Sequence, residues 1–250
     1  MKSTTQQRPP LAVVAAGGDG KRLGANGPKA LVLSADKPLL AWCLDAFAAS
    51  ETFGAGAGDV VVAAHAGSVE LFEQAVQPAR EAGLSVLVCQ GGASRSHSVA
   101  NALRAGAEAT GAGTRVVLVH DAARPLVSPK LIDGIHDALL NGRTDALVAA
   151  APVTDTIKRV DRSNVVVETP PRESLWAVQT PQAFRSEVLE RALGLSERVA
   201  DEVLAGASDD ASLVEASGGS VAVYPWAEPN FKVTTAADLR SADRCLRSVD

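Results

Sequence analysis

Leu11-Ala12-Val13-Val14-Ala15-Ala16, followed directly by Gly17-Gly18-Asp19-Gly20-Lys21-Arg22-Leu23-Gly24, is the stretch on which the fold turns. The first part is apolar without alternation, as expected of a strand covered on both faces, and such strands belong to parallel sheets. The glycine-rich continuation lets backbone amides approach an anion, and Lys21 and Arg22 add positive charge. A turn of this composition is either a triphosphate cradle or an ordinary βα turn with a solvated basic pair. It is not a Walker A loop, because Lys21 is followed by Arg22 rather than Ser or Thr, and its glycines do not fit GxGxxG.

Outward from this stretch the pattern repeats. Val60–Ala64, Val86–Val88, Val116–Val119 and Ala146–Ala151 are further short apolar runs. Between them Leu39–Ala49, Val69–Ala82, Val99–Ala109 and Leu131–Leu140 carry helical periodicity, which predicts a layered α/β fold. Ser128 before Pro129 suits a helix start, since the hydroxyl accepts a free amide and proline needs no partner there. Thr235 ahead of Asp238 marks a C-terminal helix in the same way. Thr156–Val160 and Val165–Thr169 flank Asp161-Arg162-Ser163-Asn164 and read as a hairpin outside the layers. An isolated hairpin is marginal in water, so this arm is expected to pack against a second subunit. Gly54–Gly58 has the composition of a flexible connection.

Composition bounds the rest. With 250 residues, 46% of them hydrophobic, the chain suits one α/β domain over residues 1–250, with the arm at about 153–175. The net charge of -5 leaves no basic field for a nucleic-acid backbone, so an anionic ligand must be met by local cations. Cys43, Cys89 and Cys245 have neither zinc-site nor disulfide spacing, and a reducing cytoplasm fits them best. Met1–Pro10 is polar and no apolar run approaches the ~20 residues of a membrane span, so neither a leader nor an anchor is expected.

Other residues carry chemistry. Gly27-Pro28-Lys29 sets an ammonium in a segment restricted by proline. His120-Asp121-Ala122-Ala123-Arg124-Pro125 follows the fourth strand, at the carboxyl end where open α/β sheets bind ligands. There Asp121 can position a metal ion or substrate hydroxyls, and Arg124 can serve the site or simply pair with Asp121. His120 has no evident metal partners. Lys232, in Asn230-Phe231-Lys232-Val233-Thr234, adds a late cation.

Taken in order, Ala15–Leu23, Pro28-Lys29, His120–Pro125, Asp155-Thr156-Ile157-Lys158, Gln179-Thr180-Pro181-Gln182 and Phe231-Lys232-Val233-Thr234 resemble the 2-C-methyl-D-erythritol 4-phosphate cytidylyltransferase family of the non-mevalonate isoprenoid pathway. The resemblance implies a Rossmann-like three-layer nucleotidyltransferase fold with a mostly parallel sheet. It also implies Mg²⁺-dependent transfer of CMP from CTP to a small polyol phosphate, in a homodimer joined through the hairpin arms. Carried over by position, Arg22, Lys29 and Lys232 match the family's catalytic cations. Ala15, Ala16, Gly17, Gly20, Gly91, Gly92 and Ser98 match nucleotide-binding positions, with Ser98 offering a hydroxyl to the base. Asp121 matches the metal position and, with Arg124, Thr156, Arg172, Thr180 and Ser208, the substrate-binding positions. The chain departs from the family pattern at Gly18-Asp19, where the loop carries an extra residue, at Ala93 in place of a frequent acid, and at Ser208 in place of threonine.

Two rival readings share these features. One is a ribitol 5-phosphate cytidylyltransferase, which His120-Asp121-Ala122-Ala123-Arg124 disfavours. The other is a catalytically silent nucleotide-binding module, since fold alone does not establish function; the retained Arg22, Lys29, Asp121 and Lys232 speak against it.

Overall fold

The computed structural model describes residues 9–24, 27–110, 116–195 and 199–248. Residues 1–8, most of the segment expected to be neither leader nor anchor, lie outside the described residues. The chain opens with β1 (Leu11–Ala16), a short β2–β3 ribbon (Leu33–Ser34 and Lys37–Pro38), α1 (Leu39–Ala48) and β4 (Asp59–Ala64). It continues through α2 (Val69–Ala75), α3 (Gln77–Glu81), β5 (Ser85–Gln90), α4 (Arg95–Thr110) and β6 (Val116–Asp121). Next come α5 (Pro129–Asn141), β7 (Ala146–Pro152), β8 (Arg159–Val160), β9 (Val166–Glu168) and β10 (Trp176–Arg185). The final elements are α6 (Ser186–Ala192), α7 (Asp201–Gly206), α8 (Asp210–Ala216), β11 (Val221–Pro225) and α9 (Ala236–Leu246).

The central sheet has seven strands in the order β11-β7-β10-β6-β1-β4-β5. Only β10 runs against its neighbours β6 and β7; the other adjacent pairs are parallel. The expected three-layer α/β architecture is therefore present. The continuous apolar runs explain it: Ala12, Val14 and Ala16 join a core with α1, α2, α3 and α5, while Leu11 and Val13 join the opposite core with α4, α6 and α8. Side chains alternate across a strand, so only a run apolar at every position can bury both faces. In α5, Leu131, Ile132, Ile135 and Leu139 form one buried stripe, and Ser128 caps the helix by accepting from the Leu131 amide. Thr235 caps α9 as expected.

Several expectations need correction. Val69–Ala82 is two helices rather than one, divided at Val76 with Pro78 in the first turn of the second. Proline lacks the amide an uninterrupted helix requires, but is tolerated at a helix start. The helix expected from Val99 begins at Arg95, because polar residues in its first turn hid the start. Gly54–Gly58 is no flexible connection: Gly54–Gly56 forms a 3₁₀ turn, and a Cβ on Gly54 would meet the Ala48 carbonyl oxygen at 2.6 Å. Strands β10 and β11 were not expected. The arm is present as a separate two-stranded sheet of β8 and β9.

Candidate active site

The carboxyl ends of β1 and β6 lie side by side, with Ala15 in register with Asp121. They open into a cleft of ≈ 370 Å³ whose rim is the loop Gly17–Leu23. Lys29, Lys232, Asp121, Arg95 and the Gly92–Ser94 segment complete the wall. The N-terminus of α4 faces this space, adding the partial positive charge of its free amides.

Local bonding explains why the sequence folds this way. The Lys29 amide donates to the Gly18 carbonyl at 2.9 Å, folding the lysine back over the glycine loop. The Gly91 amide donates to the Ala64 carbonyl at 2.9 Å, which ties the β5 exit to the end of β4. Ser98 Oγ accepts from the Gly92 amide at 3.0 Å and donates to the Ser94 carbonyl at 2.8 Å. Gly92 must be glycine, because a Cβ there would lie 2.5 Å from the His97 Cβ and 2.8 Å from its carbonyl carbon.

Asp121 is the hub. Its Oδ1 accepts from Arg95 Nε at 3.0 Å and its Oδ2 from Lys232 Nζ at 2.8 Å. Its amide donates to Thr180 Oγ1 at 3.0 Å, where β10 bulges between Val178 and Gln182 beside the cis Thr180-Pro181 bond. Burial alone would raise the Asp121 pKa, but Arg95 and Lys232 outweigh it and hold the carboxyl well below the usual carboxylate range. The Lys29 pKa moves down, first through burial and then through repulsion from Lys232 and Arg22. Three cations thus converge at a cost to one another, an arrangement relieved by a polyanion.

His120 is fully buried behind Asp121, and burial pushes its pKa down to about 4. Its Nε2 lies 3.1 Å from the Arg124 carbonyl, which can only accept, so Nε2 carries the proton. Its Nδ1 then accepts from Thr180 Oγ1 at 3.1 Å. Both ring nitrogens are committed, and the ring neither binds a metal nor abstracts a proton. Arg124 donates from Nη1 to the Asn230 carbonyl at 2.9 Å, while the Val233 amide donates to the Ala123 carbonyl at 2.8 Å. These bonds bring the Asn230–Val233 segment, and with it Lys232, across to β6.

Comparison with known proteins fits this geometry. The sequence profile of the 2-C-methyl-D-erythritol 4-phosphate cytidylyltransferase family matches residues 11–248. The chain belongs to that family. A 2-C-methyl-D-erythritol 4-phosphate cytidylyltransferase of Frankia casuarinae is 41% identical over 96% of this chain and 82% of its own length. One from Streptomyces avermitilis is 40% identical over 94% of this chain and 90% of its own. Among solved structures, the Thermus thermophilus cytidylyltransferase superposes with a TM-score of 0.71 at 32% identity, covering 96% of this chain and 100% of that one. The Francisella tularensis cytidylyltransferase gives 0.75 at 28% identity, covering 94% and 99%.

Set against the cytidylyltransferase pattern, the residues expected at the site divide into those the cleft gathers and those it does not. Ala15, Ala16, Gly17, Gly20, Arg22, Lys29, Gly92, Ser98, Asp121 and Lys232 all line it. Gly91, Arg124 and Thr180 stand directly behind, bonded to its walls. Thr156 and Arg172 are exposed on the arm, where Arg172 Nη1 donates to the Thr154 carbonyl at 3.1 Å, away from the cleft of their own chain. Ser208 is exposed between α7 and α8 and does not line the cleft. Sequence reasoning missed Arg95 and Asp210. Arg95 sat unremarked between Gly92 and Ser98, and nothing in Asp209-Asp210 distinguishes a buried acid from a solvated one.

Proposed function

We propose that the protein transfers CMP from CTP to 2-C-methyl-D-erythritol 4-phosphate, giving 4-diphosphocytidyl-2-C-methyl-D-erythritol and pyrophosphate. The observation that carries this reading is the convergence of Arg22, Lys29 and Lys232 on one cleft, beside a glycine-rich strand exit and a helix N-terminus. A phosphate oxygen of the acceptor attacks the α-phosphorus of CTP in line, and the bond to the β-phosphate oxygen breaks. The cations offset charge on the reacting phosphorus and the departing pyrophosphate. A phosphate monoester is largely ionised near neutral pH, its second pKa being about 6, so no general base is required. This agrees with the sequestered His120.

Mg²⁺ fits as an ion carried mainly by the nucleotide. No group of three His, Cys, Asp or Glu side chains capable of holding a metal exists among the described residues, and Asp121 is the one buried carboxylate in the cleft wall. Such an ion is commonly bound by one or two carboxylates plus substrate phosphates, and it would neutralise phosphate charge here. Asp121 would be the side chain to meet it, with Lys232 free to turn from the carboxylate toward phosphate.

The domain reading is one catalytic unit with its arm at about 153–175. The arm exposes Ile157, Val160, Val165, Val166 and Val167, an apolar surface suited to a second copy. In a homodimer so joined, Thr156 and Arg172 serve the partner's acceptor site. The free cysteines accord with a reducing cytoplasm, and among the described residues no helix is long and apolar enough to cross a membrane.

The test is pyrophosphate release with CTP, UTP, ATP and GTP, each against methylerythritol phosphate and ribitol 5-phosphate. CTP with methylerythritol phosphate should be strongly preferred. Faster turnover of ribitol 5-phosphate would favour the ribitol enzyme, equal use of UTP would remove the Gly91–Ser98 base pocket, and no release at all would favour a silent module.

A further inference from the structure

Arg95 stands between two carboxylates. While its Nε donates to Asp121, its Nη1 donates to Asp210 Oδ2. Asp210 is fully buried at the start of α8, and its second oxygen, Oδ1, has no hydrogen-bond partner. Burial pushes the Asp210 pKa up against the pull of Arg95. A buried ion pair is a poor source of stability, since well-packed apolar side chains commonly do as well or better. Its presence at this spot points to a use beyond packing.

That use follows from the demands on Lys232. This lysine holds Asp121 Oδ2, yet its side chain remains 42% exposed in the cleft wall. A bound triphosphate would draw it toward phosphate, leaving Arg95 as the protein cation at hydrogen-bond distance from Asp121, because Arg124 Nε is 3.9 Å away. Arg95 also borders the cleft and would be drawn the same way, were its other arm not tied back to Asp210. Neighbouring Asp209 is no substitute: its Oδ2 accepts from Gln182 and its Oδ1 from the Ser212 amide.

We propose that Asp210 is a positioning residue that tethers Arg95, so that Asp121 keeps its orientation while Lys232 turns to the nucleotide phosphates. The proposal rests on the cytidylyltransfer reading above. It assigns Arg95 to holding Asp121 rather than to gripping phosphate.

The test is steady-state kinetics on the purified full chain carrying Asp210→Asn, with CTP and methylerythritol phosphate varied separately. The amide keeps the volume but weakens the tether. Turnover is expected to fall roughly 10- to 100-fold, the penalty of a misplaced group, with KM for CTP within about twofold of wild type. Asp210→Glu should recover part of the loss. Wild-type turnover in Asp210→Asn, or an equal loss in Asp210→Glu, overturns the proposal. Should Asp210→Asn fail to fold, Arg95→Lys replaces it: an ammonium cannot span both carboxylates, so the same turnover loss is expected, and unchanged turnover rejects the tether. If the wild-type chain itself releases no pyrophosphate, the reaction reading has failed instead. The tether is then judged by urea midpoints of Asp121→Asn, Asp210→Asn and the double variant. Non-additive shifts support coupling through Arg95, and additive shifts reject it.

Discussion

Lys232 Nζ donates to Asp121 Oδ2 at 2.8 Å across 111 positions of sequence. The contact joins the end of β6 to the segment leading into α9, and it sets a cation beside Lys29 that repels it. Removing either lysine deletes a charge from the cleft proposed to hold the triphosphate. Lys29→Ala and Lys232→Ala are each expected to lower turnover by about 10²–10³-fold, or ~3–4 kcal/mol, as measured by pyrophosphate release. Near-normal turnover in either variant would take that lysine out of the catalytic set.

Thr180 links β10 to both His120 and Asp121. Thr180→Val keeps the shape and removes the hydroxyl, leaving a buried amide and a ring nitrogen unpaired at a cost of about 1–3 kcal/mol. Thr180→Ser should retain most of the stability. Denaturant midpoints of the two variants decide the matter, equal values being the adverse result.

The burial of neutral His120 makes stability depend on pH. Its folded pKa of about 4 lies below its ordinary 6.5, so the unfolded chain binds the extra proton first. The contribution is fully present above pH 6.5 and is lost as pH falls toward 4, amounting to about 3 kcal/mol. In His120→Gln the amide can still donate to the Arg124 carbonyl, but nothing titrates. Its stability should change less than wild type between these limits, and parallel curves from urea titrations would rule the assignment out.

Much of the fold was legible because strands buried on both faces must be apolar throughout, as Leu11–Ala16 and Val116–Val119 are. Strand β10 escaped notice because Gln179, Thr180, Pro181 and Gln182 interrupt its apolar pattern; Thr180 bonds His120 and Asp121, Gln182 bonds Asp209, and Gln179 bonds Asn230. Arg22, Lys29, Asp121 and Lys232 were legible through the family pattern. No periodicity announces Arg95 or Asp210, since their pairing exists only once α4 and α8 pack on the same face.

The exposed arm bears on who completes whose site. In the proposed arm-joined homodimer, Lys29→Ala carries a defective body and a sound arm, and Arg172→Ala the reverse. Random reassociation of unfolded subunits gives mixed dimers in half the cases, each with one intact composite site, so about a quarter of wild-type activity should return. No recovery above the parent variants, with subunit exchange verified, would leave the arm as a contact surface alone.

The late strand β10 lies between β6 and β7 in the finished sheet. A growing chain emerges from the ribosome N-terminus first, so β6 and β7 leave the exit tunnel before Trp176–Arg185 does. Until then β6 and β7 lack the strand that pairs with both, and each presents an open ladder edge. Translation therefore passes through a window in which any extended segment, from this chain or another, can pair with either edge. A ribosomal pause before Trp176–Arg185 has cleared the tunnel would lengthen that exposure and favour capture by chaperones, whereas one after it has cleared would not.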